Sequence, residues 1–436
     1  MDQIYSNALV TICVIDGSNM FSGIPGVNNP LWSRYQVITD TEIDRYMFSR
    51  FRHTNRVLTA SDWAKRAWTF QEGELSRRRL CFSEHGIFLL CKEEIFHDIL
   101  EFDESDDRLK GCFDAGGAHY LALGFDLDMH YWDFDNYARM AASYSRRSMT
   151  FPSDAYNAIR GAIQRVAQNL GVNFVAALPV HDLCNALLWF HHIDSYNPFS
   201  RYAEGRQRPG FPSWSWLGSE GAIEYWHWLQ EPRHPIAKQQ CIFSLVDRGH
   251  RKNVLYRAVK VRSSAVVTFE LIAPDTSNAI LGLTTTIARF RISKIMQPQE
   301  LHHQTHHRWL LLNQSGQKIS KETQFYDDYR DGDKFFCSLH LHSTSSVELI
   351  KMGVEELEFV LLQHWSSNPP ESVSGEVARS IYGDEMPEHY DLLEDVVWTL
   401  AIKRRPDGVG ERLNLVPIPA KAWFMAEPQS AVVCIA

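Results

Sequence analysis

The order of hydrophobic and polar positions predicts an α/β arrangement at the start of the chain. Ala8 to Ile15 (ALVTICVI) is an uninterrupted apolar run that ends at Asp16-Gly17. A run of this length and β-branched content predicts a buried strand followed by a turn. Only Asp2 to Asn7 separate it from Met1, too few residues for an earlier strand and helix. The chain is therefore expected to begin in the middle of an α/β unit.

A helix and a hairpin are predicted next. Ser61 is a residue type favoured at helix N-caps, and it opens the segment SDWAKRAWTFQEGELSR. The apolar residues of that segment recur near the helical period, at Trp63, Ala67, Phe70 and Leu75. Arg79 to Phe82 and Ile87 to Cys91 are short apolar runs separated by Glu84-His85-Gly86, a composition typical of a hairpin turn.

The middle of the chain has the pattern of three helices. The first is predicted from Phe134 to Ser145. The second opens after Pro152, with Ser153 or Asp154 as its cap. The third is predicted from His181 to His192.

Strand-like runs dominate the second half of the chain. They are Ser264 to Leu271, Ile287 to Ile295, Trp309 to Leu312, Phe335 to His342, Val347 to Met352, Leu357 to Gln363, Val396 to Lys403, Leu413 to Val416 and Val432 to Ile435. Alternation in FFCSLHLH and VVWTLAIKR predicts antiparallel strands with one buried face. Loops are expected at Gln314 to Asp333 and Ser366 to Leu393, and Arg206 to Gly221 has the composition of a boundary loop.

These patterns together predict an α+β protein in three parts. Residues 1–110 are expected to form a partial α/β domain, and residues 111–205 a helical region associated with it. Residues 206–436 are expected to form a β-rich, antiparallel C-terminal domain. A chain of 436 residues is long enough for two or three domains of ordinary size.

Composition and charge narrow the possible partners and the compartment. The formal net charge is −9, and neither sign forms long blocks, so we expect no nucleic-acid partner. The start of the chain has no basic segment and no long apolar run, which predicts neither a signal peptide nor a membrane anchor. The 8 cysteines are scattered without a CxxC pair, as in proteins of the reducing cytoplasm.

Four blocks follow one another along the chain: MDQIYSNALVTICVIDG with GIPGV behind it, SDWAKRAWTFQEGELSRRRLCF, YSRRSMTFPSDAYNAIRGAI, and PSWSWLG. In content and in order they resemble the fungal heterokaryon incompatibility (HET) domain family. The second block is the most specific, since it is similar to a family pattern written W..R.WT.QE...S.R...F. The resemblance extends over about Met1 to Leu217, and family members often continue into variable β-rich regions.

The resemblance implies a TIR-like α/β domain and a role in heterokaryon incompatibility, programmed cell death or an innate, non-self response of fungi. Two family blocks that normally precede the first one here, Y.ALSY.WG and W.D..CI.Q, do not occur in this sequence. The chain is therefore expected to be truncated. A sheet without its opening strands exposes an edge and an apolar face, so a protein partner or self-association is expected. An inert relic with a folded β-rich binding domain is an alternative.

Glu72, in WTFQE, is the candidate catalytic residue by analogy with TIR-like proteins that hydrolyse NAD. A carboxylate stabilises the positive charge that develops when the glycosidic bond to nicotinamide breaks. Arg66, Trp68 and Gln71 lie within about two turns of Glu72, so they are candidates to line a site in which NAD is a substrate and no cofactor is needed. The alternatives are structural: Glu72 as a helix-surface residue and Trp68 as a core residue. No established catalytic motif such as GxGxxG or GxSxG occurs.

Three other groups admit two interpretations each. The His302 to His307 segment either pairs imidazoles on a helical face or is a solvated loop, and we predict no metal site. Arg77-Arg78-Arg79 and Ser145-Arg146-Arg147 either contact a phosphate or lie on solvated faces. In PSWSW, Trp214 and Trp216 are expected to pack between the α/β and β parts, or else to place one indole at a binding surface.

Overall fold

The computed structural model shows two compact units, Met1–Gly171 and Val172–Ala436. The structure describes residues 2–17, 21–25, 27, 38–40, 45–47, 54–84, 86–91, 95–97, 125–191, 206–225, 242–246, 253–256, 280–294, 306–319, 338–342, 348–365 and 396–436. The protein is of mixed α+β class, with its largest sheet in the C-terminal part.

Unit 1 contains short helices around a small sheet, followed by two longer helices. Its strands are β1 (Thr11–Val14), β2 (Ile38–Asp40), β3 (Arg45–Met47), β4 (Arg78–Ser83), β5 (Gly86–Cys91) and β6 (Ile95–His97). Its helices are α1 (Asp2–Asn7), α2 (Thr54–Ala60), α3 (Asp62–Lys65), α4 (Thr69–Leu75), α5 (Phe134–Ser145) and α6 (Asn157–Leu170), with a 3-10 turn at Pro152–Ala155. The hairpin predicted around Gly86 is confirmed as β4 and β5.

The sheet of unit 1 has the order β1-β4-β5-β6, with β1 parallel to β4. Strand β4 alternates between buried and partly exposed residues, because one face of the sheet is covered by helices. The residues on that covered face form a core: Cys13, Ile15, Val57, Leu58, Trp63, Cys81, Phe88 and Leu90. This packing places α2, through Val57 and Leu58, and α3, through Trp63, against the sheet.

The single helix predicted from Ser61 onward is wrong, because it divides into α3 and α4. Ser61 is the N-cap as predicted, and its Oγ accepts a hydrogen bond of 3.1 Å from the Ala64 amide. Arg66 then takes an extended conformation, with φ −89° and ψ 136°, and pairs with Ser148. The Thr69 hydroxyl donates to the Trp63 carbonyl, so a side chain takes over part of the backbone hydrogen bonding at the break.

The helical predictions for the middle of the chain vary in accuracy. Phe134 to Ser145 is confirmed as α5, with Asp133 as N-cap accepting from the Asp135 amide at 3.0 Å. The second helix is confirmed as α6, but it begins after the 3-10 turn and ends at Gly171, whose φ is 63°. The third is mostly wrong: a 3-10 turn at Val180–Asp182 and a four-residue helix, α7 (Leu183–Ala186), replace it.

Unit 2 is mostly strands. They are β7 (Phe174–Val175), β8 (Leu178–Pro179), β9 (Phe190–His191), β10 (Arg206–Gln207), β11 (Ser219–Glu220), β12 (Ile223–Glu224), β13 (Ile242–Val246), β14 (Asn253–Tyr256), β15 (Ile280–Lys294), β16 (His306–Leu312), β17 (Ser338–His342), β18 (Glu356–Trp365), β19 (Val396–Arg404), β20 (Gly410–Pro419) and β21 (Gln429–Ile435). Helix α8 (Ala420–Met425) joins the last two.

The nine-stranded sheet of unit 2 is organised by β15, its longest strand. The first half of β15 pairs with β13 and β21, and the second half pairs with β16 and β18. Strands β18, β19, β20 and β21 follow in order, so the pairing returns to β15. The pairs are antiparallel apart from one parallel pair between Gly410 and Ile435, which largely confirms the antiparallel prediction. Phe290, Phe359 and Trp423 pack in its core.

Three further predictions for this part of the chain are not confirmed. Val347 to Met352 is wrong as a strand, because residues 348–351 form a helical turn from which Leu349 enters the core. Ser264 to Leu271 and the loop Ser366 to Leu393 lie outside the described residues.

Candidate functional site

Helix α4 holds Glu72 and Gln71, with Arg66 and Trp68 at the break that precedes it. Glu72 is half-buried, and each of its carboxylate oxygens accepts a hydrogen bond. The Trp63 indole N–H donates to Oε2 at 3.0 Å, and the Tyr5 hydroxyl donates to Oε1 at 3.4 Å. Burial raises the pKa of Tyr5, and the neighbouring Glu72 charge raises it further. The carboxylate therefore ties α1 and α3 to α4.

Trp68 and Gln71 contact the segment after α5. Trp68 is 36% exposed, and its indole N–H donates to Asp154 Oδ2 at 3.1 Å. Gln71 is buried, and its amide donates to the Asn157 carbonyl at 2.7 Å. Because the indole reaches the solvent, the expectation of Trp68 as a fully buried core residue is wrong.

Arg66 has an exposed side chain, and its backbone makes the structural contacts. Its carbonyl accepts from the Arg147 guanidinium at 3.2 Å. The adjacent Ala67 amide donates to the Ser148 carbonyl at 2.9 Å, and the Ser148 amide donates to Lys65 at 2.6 Å. This pairing joins the loop before α4 to the loop after α5.

The four residues therefore do not share one set of contacts. The Glu72 carboxylate bonds to Tyr5 and Trp63, whereas Trp68 and Gln71 bond to Asp154 and Asn157. The geometry gives the Glu72, Trp68 and Gln71 side chains structural partners, and Arg66 is held through its backbone. Catalysis by Glu72, and substrate binding by Arg66, Trp68 and Gln71, stay predictions.

A group of buried charges beside Glu72 was missed from the sequence. Glu74 Oε2 accepts from the Phe125 amide at 2.9 Å, and burial raises the pKa of Glu74 while Arg79 opposes the rise. Arg147 lies over the Phe70 ring, 4.9 Å from its centroid. Burial lowers the pKa of Arg147 to about 10, although the nearby Glu74 charge acts in the opposite direction.

The arginine triplet Arg77-Arg78-Arg79 and the pair Arg146-Arg147 thus each divide between solvent and interior. Arg77, Arg78 and Arg146 are exposed, whereas Arg79 is only 8% exposed and Arg147 is half-buried. A signal for Arg79 exists in the sequence, since in RRLCFS it shares a strand face with the apolar Cys81. Nothing local marks Arg147, because its acceptors are on the loop before α4.

In unit 2, the PSWSWLG block is a packing centre. Trp214 and Trp216 are 0% and 1% exposed, so both indoles are packed and neither lies at a binding surface. Their predicted position between the α/β and β parts stays a prediction. The Trp214 carbonyl accepts from the Trp189 indole at 3.1 Å, and the Ser215 hydroxyl donates to the Ala176 carbonyl at 2.7 Å. The block therefore connects segments within unit 2 that are distant in sequence.

Arg412 is the most deeply buried charge described in this unit. Its Nη1 donates to the Leu187 carbonyl at 2.8 Å, and its Nη2 donates to the Trp189 carbonyl. The guanidinium also stacks on the Trp189 ring, 3.6 Å from the centroid. Burial lowers the pKa of Arg412 to about 9, partly opposed by Tyr225. These bonds occupy the carbonyls where the predicted third helix would have continued.

The described residues also bear on metal binding and on membrane-spanning helices. They contain no cluster of three or more His, Cys, Asp or Glu placed to hold a metal ion. His306 and His307 begin strand β16, so they are not on a helical face, and residues 302–305 lie outside the described ranges. Within the same ranges, every helix is too short or too polar to span a membrane.

Comparison with known proteins identifies the N-terminal segment. Residues 1–72 match the family model "Heterokaryon incompatibility protein (HET)". Comparisons with curated proteins and with solved structures gave no match. The match covers α1 through the first residues of α4, including Glu72, and confirms the predicted resemblance for residues 1–72. The resemblance of the blocks after residue 72 stays a prediction. Over residues 1–72, this chain is similar to the heterokaryon incompatibility family.

Proposed function

We propose that the protein acts in heterokaryon incompatibility, as a cytoplasmic effector of a non-self or programmed-death response in fungi. The observation that carries this proposal is the family match over residues 1–72. The described free thiols Cys13, Cys81 and Cys434 fit a reducing compartment.

The active element in this proposal is the whole of unit 1 rather than the matched segment alone. Residues 1–72 contribute only β1 to the four-stranded sheet, and the other three strands follow residue 72. The matched segment also depends on later residues for its hydrogen bonds, as between Ala67 and Ser148 and between Gln71 and Asn157. An isolated piece ending at residue 72 would leave these buried groups without partners.

We also propose that unit 1 acts by contact with another protein. Several large apolar side chains near its start are exposed, including Ile4 at 65%, Leu9 at 79% and Ile12 at 61%. Exposed apolar groups of this kind are common at protein contacts. NAD hydrolysis by Glu72 in a TIR-like fold is the alternative. It draws no support from the occupied carboxylate, because both oxygens already have donors.

The proposal is tested by inducing the full chain in a fungal host and scoring viability. We expect death or growth arrest on induction. The effect should be lost in Arg147→Leu, which removes the link between Arg66 and Thr69, and retained in the exposed-site control Arg146→Leu. Normal growth of cells that accumulate the folded wild-type protein would overturn the proposal.

The same strains separate contact from catalysis. Glu72→Gln keeps the side-chain shape and one acceptor oxygen but removes the charge. If Glu72 has only a structural role, Glu72→Gln should retain the killing activity and total NAD should be unchanged. NAD loss in wild-type cells that is absent in Glu72→Gln cells would favour the enzyme instead.

A further inference from the structure

Two cysteines face each other across strands β1 and β4. Cys13 and Cys81 are register partners in this parallel pair, and both are free thiols. They are 1% and 0% exposed, and both belong to the core on the covered face of the sheet. Neighbouring strands lie about 4.8 Å apart, which is within the Cα separation that a disulfide spans. The backbone therefore holds the two Cα atoms within the range of separations found in disulfides.

The two sulfur atoms interact directly and are not equivalent. The hydrogen bond with Cys81 raises the pKa of Cys13, and burial raises it further. The same hydrogen bond lowers the pKa of Cys81, although burial opposes it, and the Arg79 charge also acts to lower it. The Cys13 thiol also donates to the Thr11 carbonyl at 3.9 Å. Cys81, whose pKa is lowered, is the sulfur better able to form a thiolate, which is the reactive form.

We propose that Cys13 and Cys81 are a redox site, and that they form a reversible disulfide when the protein meets a peroxide. The Cys81 thiolate attacks one peroxide oxygen and breaks the O–O bond, which gives a sulfenic acid and, with one proton, water. The Cys13 sulfur then attacks the Cys81 sulfur and displaces its hydroxyl, which leaves as water with the Cys13 proton. Two thiols are oxidised, and one peroxide is reduced to two water molecules.

Geometry makes this disulfide easy to reverse. Side chains at paired positions of parallel strands project in the same direction, so the two Cβ atoms do not converge as they do in an unstrained disulfide. Bridging them requires a local twist of the strands. Strained disulfides have higher reduction potentials, so cellular thiols reduce them readily.

The bond would control how firmly the family-matched segment is attached. Among the described strands, β1 pairs with β4 alone, and β4 lies outside residues 1–72. A disulfide would add a covalent link between positions 13 and 81 to that pairing. Because the link limits the conformations of the unfolded chain, it would favour the folded state, in which β1 is paired with β4.

The chemical test uses the purified full chain. After exposure to hydrogen peroxide and alkylation of the remaining thiols, peptides are mapped by mass spectrometry without reduction. We expect a Cys13–Cys81 cross-linked peptide that disappears with dithiothreitol. Cys13→Ser should abolish the cross-link and leave Cys81 as sulfenic or sulfinic acid, whereas Cys91→Ser, the control on β5, should retain it. Cross-links from Cys13 or Cys81 to other cysteines, or intact thiols at both positions, would overturn the proposal.

The structural consequence is tested by hydrogen exchange of β1. Oxidation should slow amide exchange in Thr11–Val14 several-fold in the wild-type protein, and dithiothreitol should reverse the change. Oxidised Cys13→Ser protein should show no slowing. Unchanged β1 exchange in wild-type protein with a confirmed cross-link would refute the role of the bond in holding the strand, even where the disulfide itself forms.

Discussion

The two units bury arginine side chains in different ways. In unit 1, Arg147 is surrounded by ionisable groups, and Glu74 contributes a charge of opposite sign. In unit 2, Arg412 donates to two backbone carbonyls and stacks on an aromatic ring. Burial lowers the pKa of both, to about 10 for Arg147 and about 9 for Arg412. Both guanidinium groups donate to backbone carbonyls and lie over aromatic rings, so the difference is the carboxyl group of Glu74, whose charge acts on Arg147.

This difference predicts that the stability of unit 1 depends on pH more than the stability of the Arg412 contacts does. A buried ion group changes its energy when either partner titrates, whereas carbonyl oxygens and an indole do not titrate. Unit 1 should therefore respond to pH through Glu74. The Arg412 cluster should act as a pH-independent brace near neutral pH.

The largest expected effect is from removing the Arg412 brace. Arg412→Leu leaves the Leu187 and Trp189 carbonyls buried without their donors and removes the ring stacking. We expect a loss of about 3 to 5 kcal/mol in the free energy of unfolding. Urea unfolding followed by tryptophan fluorescence measures it. The exposed control Arg289→Ala breaks an ion pair with Glu358 and should cost about 1 kcal/mol or less. Equal losses in the two variants would contradict the brace.

Replacing one glycine in each unit by alanine compares how well the two sites accommodate an added Cβ atom. A Cβ on Gly218 would collide with the Pro212 carbonyl oxygen, a backbone atom that cannot rotate away. Gly218→Ala is expected to cost about 1 to 3 kcal/mol. A Cβ on Gly73 would lie 3.0 Å from the Trp63 ring, and alanine favours the α4 helix, so Gly73→Ala should cost less. Thermal unfolding of both variants decides this order, and a greater loss in Gly73→Ala would reverse it.

Two glutamates should give opposite dependences on pH. Burial raises the pKa of Glu74 above its ordinary value of 4.5, so the folded state holds this proton to higher pH than the unfolded chain does. The stability that Glu74 contributes is therefore fully present below pH 4.5 and is lost as pH rises through its folded pKa.

Glu358 shows the reverse behaviour in unit 2. Burial opposes the change, but hydrogen bonds from Arg289 and Arg404 lower its pKa below 4.5. Its contribution is present above pH 4.5 and is lost as pH falls through the folded pKa. Urea unfolding at a series of pH values across this range gives the slope of the free energy of unfolding against pH. Glu74→Gln and Glu358→Gln should each remove one contribution to that slope, and the two contributions should have opposite signs. Slopes of the same sign would contradict the comparison.

The smallest expected effect concerns a strained turn in unit 2. Ala176 and Ala177 link β7 to β8 with φ of 44° and 63°, a region that favours glycine. Ala176→Gly relieves that strain and should stabilise the protein by about 0.5 to 1 kcal/mol. The control Ala162→Gly, inside α6 of unit 1, should instead cost about 1 kcal/mol. Differential scanning calorimetry distinguishes these signs, and destabilisation by Ala176→Gly would refute the strain.

Prediction from the sequence succeeded where local interactions decide the structure. The hairpin at Gly86, helix α5 and strands β18 to β21 follow from residue periodicity and turn composition. It failed where a distant residue competes with local preference. The continuous helix from Ser61 breaks at Arg66 because Ser148, 82 positions later, pairs with it. The predicted third helix is observed only over Leu183–Ala186, and the carbonyls of Leu187 and Trp189 beyond it accept hydrogen bonds from the distant Arg412.

The candidate site follows the same rule. Glu72 was selected by its motif, and the structure places it between two donors from other elements, Tyr5 and Trp63. The period-two pattern of β4 is enough to turn Arg79 and Cys81 inward. The pairing of Cys81 with Cys13 needs the register between strands separated by the intervening helices.

By itself, the sequence determined the family signature in residues 1–72, the mixed α+β class and most of the antiparallel strands. These depend on short-range periodicity, composition and motif, which are written along the chain. Three features depend on the tertiary structure: the burial of Arg79 and Arg147 beside exposed arginines, the pairing of Cys13 with Cys81, and the donors that bond to the Glu72 carboxylate. Those outcomes depend on contacts between distant segments, and burial makes each unmet polar group costly enough to override local preference.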